Sequence, residues 1–409
     1  MITRRSLLGA AAVAGTAKHA FAQTDKAADA TIRIGVLGDE SGVYRDVGGP
    51  GSLACVHQAV KEFNATNPMK VEVLVADHQN KPDIAVGIAR RWFDSGVDVL
   101  MDLQGSAVAL AVSGLAQERD KAMMACNVGT TEITGKSCTR NTVHWGYDSY
   151  MMAYAVGGAL VRNGGDTWYF IRADYAAGRS LQDDATRFVK QAGGKVLGSI
   201  AMPFPSEDFS SAILQAQASG AKVVGLANAG SDLVNCVKQA AEFGLTRGGT
   251  KLAALNMFIT NIHALGLEVA HGLVVGNTFY WDRDDRTRAF SERVAAAMPN
   301  NNKPNMSQAA CYSATWHYLK ACAALGAAQA KVSGMRVVDK MKATPVQDDV
   351  LGSATVREDG TVLSPSFLYE VKRPEESKAP WDYYKLLATI PADQAWRPLA
   401  EDGCSFIKT

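Results

Sequence analysis

The feature that most constrains this chain is the order of its apolar runs. "TIRIGVLG", "KVEVLVAD", "VDVLMDL" and "KAMMACNV" have the length and apolar density of buried strands. Between them stand "SLACVHQAVKEFN", "IAVGIARRWFDSG" and "AVALAVSGLAQERD", whose apolar residues recur at helical spacing. Strands separated by helices of this length pair in parallel through right-handed crossovers. The alternation restarts near Tyr147, with helix "YDSYMMAYAVGGALVRNGG", strand "DTWYFIRAD", helix "YAAGRSLQDDATRFVKQAGG" and strand "KVLGSIAMPF". "AKVVGLANAG", "KLAALNMFI" and "HGLVVGNTFYW" read as further strands. The fold class is therefore α/β, in two series of similar make. At 409 residues the chain exceeds what one hydrophobic core serves, which also points to two units. No repeat or long Pro/Gly/Ser linker separates them.

In open parallel sheets, ligands sit outside the carboxyl ends of the strands. Here those ends carry "GDESGVYRDVGG", "DLQGSA", "NVGTTEI", "RADYAAG", "NAGSD" and "MFITN". They are rich in Gly, Ser, Thr, Asn and Tyr and poor in acid–base pairs, a composition for binding more than for catalysis. With 42 basic and 41 acidic residues, the net charge of +1 argues against nucleic acid or an anionic membrane as the main partner.

The opening "MITRRSLLGAAAVAGTAKHAFA" has an Arg pair, an apolar stretch and a small-x-small end. It reads as a secretory signal, residues 1–22, cleaved after Ala22; "TRRSLL" fits a twin-arginine signal, and Arg4 and Arg5 also suit an ordinary Sec signal. Its apolar run is too short to span a bilayer, and no later segment is long enough either. An exported protein meets an oxidising compartment, where some of the seven cysteines should pair and an odd number leaves one over. Cys126 and Cys138 flank a glycine-containing loop that a disulfide between them would close. There is no CxxC motif and His is not clustered with Cys, so neither a metal site nor a cofactor is expected.

Enzyme motifs fail on spacing. "GTTEITGKS" resembles a phosphate loop, but Gly129 and Gly135 enclose five residues where the cradle needs four. "GVLGDE" lacks GxGxxG, and Asp39 and Glu40 would repel a pyrophosphate. GxSxG, HExxH and the EF-hand loop are absent. His57, His263, His271 and His317 fall on helices or their edges, where packing or exposure accounts for them.

The segments "IRIGVLGDESGVYRDVGGPG", "VEVLVADHQNKPDIAVGIARRWFDSGVDVLMD", "GSAVALAV" and "TWYFIRADYAAGRS" resemble the periplasmic leucine/isoleucine/valine-binding protein family, the solute receptors of ABC importers. The likeness runs from about residue 31 to 390 and includes "GLVVGNTFYW" and "PWDYYKLLATI". It implies two Rossmann-like lobes joined by a three-crossing hinge and closing on a small ligand. Carried over, lobe 1 is residues 31–146 plus 280–347, and lobe 2 is residues 147–279 plus 348–409. The implied partners are a small organic acid or amino acid and an ABC permease in the inner membrane, with the receptor a periplasmic monomer and not an enzyme.

The resemblance also implies a use for the first-lobe loops, which hold the ligand's carboxylate with backbone N–H groups and small hydroxyls at helix starts. Such ends have unpaired N–H groups and a positive dipole. Ser106 fits one position; Gly129, Thr130 and Thr131 fit the other. Gly105 permits close approach, and Gln104 offers an amide donor. Family members often carry two adjacent hydroxyl residues where this chain has Ser106 and Ala107. Ser106 and Thr130 equally suit helix caps, a role compatible with binding.

Amino-acid receptors of the family hold the ligand's ammonium with an acid in a second-lobe loop. Here the matching loop, "MFITNIHALG", presents Asn261, with Asp232 and Glu268 the acids near in sequence. A buried ammonium without an opposite charge is costly, so Asn261 turns the reading away from an amino acid, unless Asn261 is a plain turn residue. The remaining candidate contacts are Tyr44, Arg45, Tyr150, Tyr175, Asn228, Asn256 and Tyr280. Aromatic walls with a few amides suit an aromatic carboxylate such as a benzoate or hydroxycinnamate ahead of a branched-chain amino acid. Two rival classes stand beside this reading: a ligand sensor for a membrane signalling partner, and an exported α/β enzyme, for which the loops supply no nucleophile.

Overall fold

The computed structural model describes residues 30–407, so the expected export signal lies outside the described residues. Five strands, β1 (Ile32–Gly38), β2 (Val71–Asp77), β3 (Val99–Asp102), β4 (Ala122–Ala125) and β5 (Thr142–His144), form a parallel sheet in the order β2-β1-β3-β4-β5. Four more, β6 (Thr167–Ala173), β7 (Lys195–Met202), β8 (Val223–Ala227) and β9 (Lys251–Ala254), form a second parallel sheet in the order β7-β6-β8-β9. These are the two α/β lobes expected from the alternation. Burial explains the order. The interior strands β3, β4 and β8 are buried at every residue, whereas β7, at an edge, alternates between exposed and half-buried positions.

In both sheets the chain leaves the first strand, adds a neighbour on one side, then crosses to the other. The order therefore reverses between β1 and β3 and again between β6 and β8. A crevice opens at such switch points, at the carboxyl ends of the strands. The loops there are residues 39–48, 103–106, 174–176 and 228–230, and they carry the site.

The last part of the chain departs from the parallel pattern. Strand β10 (Val274–Asn277) does not extend the second sheet. After the small antiparallel sheet of β11 (Val346–Asp348), β12 (Gly352–Val356) and β13 (Val362–Leu363), the chain returns as β14 (Ser366–Val371) and β15 (Tyr384–Ile390). These pair antiparallel in the order β10-β14-β15. The long helix Met306–Leu325 packs against the helices Gly49–Asn64 and Gly334–Lys342, and the helix Ser149–Arg162 packs against Ala176–Gln191, β10 and β14. Asn305 fixes the start of the long helix by accepting the Ser307 and Gln308 N–H groups, with Gln308 Oε1 accepting the Asn305 N–H in return.

The cysteine expectation is corrected. The disulfide joins Cys138 to Cys404, and Cys126 is a free, buried thiol. Cys126 directly follows β4 into the core, whereas Cys138 lies in a turn that meets the C-terminal segment. The other free cysteines, Cys55, Cys236, Cys311 and Cys322, are also buried. Among the described residues, no helix is long and apolar enough to cross a membrane.

Candidate ligand-binding cleft

Each switch-point loop is shaped by its own backbone before it presents a side chain. After β1, the buried Asp39 carboxylate accepts the N–H groups of Gly42 (2.7 Å) and Tyr44 (3.0 Å), winding the loop back on itself. The turn directs Tyr44 across the cleft, where its hydroxyl donates to the Tyr175 hydroxyl at 2.8 Å. Phe204 stacks on both rings, with centroids 4.6 Å from Tyr175 and 5.8 Å from Tyr44. After β3 the chain passes through left-handed conformations at Asp102 and Leu103, and again at Gly105 (φ +90°), before the helix Ser106–Glu118 begins. No side chain caps this helix. Ser106 is 1% exposed, and its Oγ has no hydrogen-bond partner among the described residues.

Of the residues singled out from sequence, Tyr44, Gly105, Ser106, Gly129, Tyr175 and Asn256 line a narrow cavity between the lobes. Val47, Asn127, Tyr147, Ala177, Ala229 and Phe258 complete the lining. Tyr147 donates to Asn127 Oδ1 (2.8 Å) and packs edge-on against Phe258 at 5.3 Å. Asn256 Oδ1 is buried without a partner among the described residues. One backbone and one side-chain contact close the gap: Ser231 N–H donates to the Val43 carbonyl at 3.3 Å, and Thr130 Oγ1 and Ser180 Oγ are 2.9 Å apart.

The other expected residues sit elsewhere, each for a local reason. Gln104 is fully buried beneath Gly48 and its Oε1 accepts the Asp39 N–H at 2.8 Å, tying two loops together, while its amide nitrogen, the expected donor, has no hydrogen-bond partner among the described residues. Arg45 is exposed and pairs with Asp46. Thr130 is held by Ser180 and caps the short turn Thr131–Ile133, while Thr131 Oγ1 accepts from Arg397. Tyr150 packs edge-on to Phe188, 4.9 Å between centroids. Asn228 is buried directly after β8 near the Cys236 thiol and is not among the cavity-lining residues; neither of its amide atoms has a hydrogen-bond partner among the described residues. Asn261 is a helix cap, its Oδ1 accepting the Phe258 N–H at 3.0 Å. The Tyr280 hydroxyl donates to the Trp381 carbonyl at 3.3 Å, and its ring packs among Tyr369 and Tyr384.

Phe258, Asn127 and Tyr147 reach the cavity from in or beside the strand-end loops without a sequence signal of their own, and Phe204, which stacks on Tyr44 and Tyr175, stands in no loop motif.

The electrostatics of the cleft are set by buried acids. Asp232, in the first turn of the helix Gly230–Glu242, is 2% exposed, and its Oδ2 accepts the Ser206 N–H at 3.1 Å. Burial pushes its carboxyl up to about 7; burial likewise raises Tyr44 and Tyr175, and the Asp232 field adds to both. Behind the first-lobe loops, burial pushes Asp102 up to about 8 even though Ser52, Cys311 and Asn127 stand around it as donors. Among the described residues, no cluster of His, Cys, Asp and Glu is arranged to hold a metal. Larger depressions occur at the amino ends of β9 and β10 and on the flank between the helix Ser149–Arg162 and β15. Neither lies at the carboxyl ends of the parallel strands.

Two parallel-sheet lobes closing over a crevice at their switch points define a class of ligand receptors that bind between domains. The chain belongs to the periplasmic binding protein family, whose model matches residues 31–378, and within it to the solute-binding proteins of ABC transporters. It is 43% identical to a periplasmic binding protein of Burkholderia mallei, covering 93% of this chain and 100% of that one, with a TM-score of 0.88. It is 35% identical to a branched chain amino acid ABC transporter periplasmic ligand-binding protein of Burkholderia xenovorans LB400, covering 91% and 99%, with a TM-score of 0.80. A solute-binding protein of R. palustris solved in complex with benzoate shares the fold at 19% identity, covering 92% and 100%, with a TM-score of 0.80.

Proposed function

We propose that the chain is an exported receptor that binds a small carboxylate in this cleft, an aromatic acid ahead of a branched-chain amino acid, and delivers it to an ABC permease. The observation that carries the reading is Ser106. Its hydroxyl is buried and unpartnered on the first turn of a helix, where free N–H groups and the positive end of the dipole suit an anion. The same cavity is walled by Tyr44, Tyr147, Tyr175 and Phe258, which suit a planar apolar body. The fold holds benzoate in the R. palustris neighbour. Closure is driven by contacts that the ligand makes only with both lobes at once, and no chemistry is performed.

The lobes of this reading are residues 31–146 plus 280–347 and residues 147–279 plus 348–409, joined by three crossings. Packing of β11 and β12 on the helices Met306–Leu325 and Gly334–Lys342 supports drawing the third crossing later, between β13 and β14. The mature receptor begins after Ala22 and acts as a periplasmic monomer.

One observation favours the second ligand class. Asp232 is a buried acid beside the Tyr44–Tyr175 pair with no ion-pair partner among the described residues, and an ammonium group there would supply one. Thermal unfolding of residues 23–409 against branched-chain amino acids, benzoates and hydroxycinnamates separates the two. A ligand at about 1,000 times its dissociation constant adds about 4 kcal/mol of stability. A raised midpoint with aromatic acids and not with leucine supports the first reading. Stabilisation by leucine or valine alone moves the ligand's ammonium to Asp232 and removes the preference for an aromatic acid.

A further inference from the structure

The resemblance to known receptors implies three crossings between the lobes, but the chain makes a further one after β15. Pro391 leads into the short helix Ala392–Ala395, which packs on the second-lobe helix Ser149–Arg162. Trp396 is buried, its Nε1 donating to the Ser364 carbonyl at 2.8 Å. The segment then runs onto the first lobe. There Arg357 donates to the Arg397 carbonyl (2.6 Å) and pairs with Asp402 (2.5 Å). The Asp402 backbone lies so close to Gly135 that a side chain there would strike its carbonyl, and Cys404 is bonded to Cys138.

From this pinned segment, side chains reach back to one face of the second-lobe helix Ala176–Gln191. Arg397 donates to Thr131 Oγ1 on the first lobe and lies 3.6 Å from Asp184 on the second. Glu401 pairs with Arg187 at 2.5 Å. Ser180, Asp184 and Arg187 share one helix face, and Ser180 meets Thr130 from the adjoining loop position. That loop, residues 127–131, supplies Asn127 and Gly129 to the cleft.

We propose that residues 391–404 are a strap, closed covalently by Cys138–Cys404, that limits how far the lobes separate, with Arg397 the residue that positions the 127–131 loop against the helix Ala176–Gln191. Opening the cleft must part Arg397 from Asp184, Glu401 from Arg187 and Thr130 from Ser180. With the strap attached at both ends, the separated groups stay at high effective concentration and rejoin readily. With the disulfide open, only noncovalent contacts hold the far end of the strap to the first lobe.

The test needs no ligand, so it succeeds or fails independently of the solute proposed above. Spin labels at the exposed positions Lys61 and Lys190 report the separation of the lobes by pulsed electron resonance. The ligand-free parent should give a narrow distance distribution. Cys138→Ser with Cys404→Ser should broaden it toward longer distances, Arg397→Ala should do so in part, and Arg397→Lys should restore most of the parent profile. Should the serine pair fail to fold, the folded parent, carrying thioether-linked labels that a phosphine leaves in place, is treated with a water-soluble phosphine, which takes an oxygen from water to become its oxide while the disulfide takes up two electrons and the two protons of that water. The same broadening is expected. Distributions that superimpose before and after disulfide cleavage would overturn the strap, and an Arg397→Ala profile identical to the parent would remove Arg397 from it.

Discussion

Gly230 begins the helix Gly230–Glu242 at φ +61°, and a Cβ there would penetrate the Val43 carbonyl and lie 3.2 Å from Tyr44 Cδ1. Both contacts belong to the opposite lobe, so Gly230→Ala carries two separable costs. The left-handed backbone disfavours a Cβ by about 1 kcal/mol whether the cleft is open or closed. The clash with Val43 exists only in the closed form, and overpacking of this kind costs about 1–3 kcal/mol. The first cost lowers the melting midpoint of the ligand-free protein. The second is charged against closure and so weakens ligand binding, by roughly 10- to 100-fold. Gly266→Ala is the control, because Gly266 has φ +76° with nothing near its missing Cβ. Calorimetric titration with the acid that best stabilises the parent protein, alongside thermal unfolding of each apo variant, separates the effects. If Gly230→Ala binds as tightly as Gly266→Ala does, Gly230 and Val43 do not meet in the liganded state and the closure geometry is wrong.

Three further outcomes are expected. Ser106→Ala removes a hydroxyl that has no partner, so the apo midpoint should hold while affinity for a carboxylate falls roughly tenfold or more, as for a hydrogen bond to a charged group. Asn261→Ala should do the reverse, costing about 1 kcal/mol in denaturant unfolding through the lost cap while leaving the dissociation constant unchanged; a weakened affinity would return Asn261 to the site. Asp102 is held at about 8 against an ordinary 3.8, so between those values the folded state keeps a proton that the unfolded state releases, and stability falls as pH rises through this window. The loss is on the order of 5 kcal/mol at most, and Asp102→Asn should flatten the decline between pH 5 and pH 8; parallel curves would show that the acid ionises at its usual pH.

The fold was legible wherever one face or both faces of a strand are buried. β1, β3, β6 and β8 stand out as apolar runs, and their alternation with helices dictates parallel order and hence where the crevice lies. β10 has the same apolar look, but its partner β14 comes about 90 residues later, and pairing over that distance leaves no local mark. Cys138 and Cys404, 266 residues apart, are beyond reach for the same reason. Among cavity-lining residues, Tyr44, Ser106 and Tyr175 could be read because topology puts their loops at the switch points. Asn261 and Thr130 stand in equally suitable loops, but one backbone N–H beside each claims the side chain. Only the folded geometry tells whether a polar group keeps a free valence for a ligand, as Ser106 does and Gln104 Oε1 does not.

A crystal structure of the mature protein with its best-stabilising acid decides whether this cleft is where the ligand sits. The ligand's carboxylate should lie within hydrogen-bond distance of Ser106 Oγ and the first N–H groups of the helix Ser106–Glu118, with its body between Tyr44, Tyr175 and Phe258. A ligand seated instead in the depression beside Tyr154 and Arg162, with Ser106 left uncontacted, would contradict it.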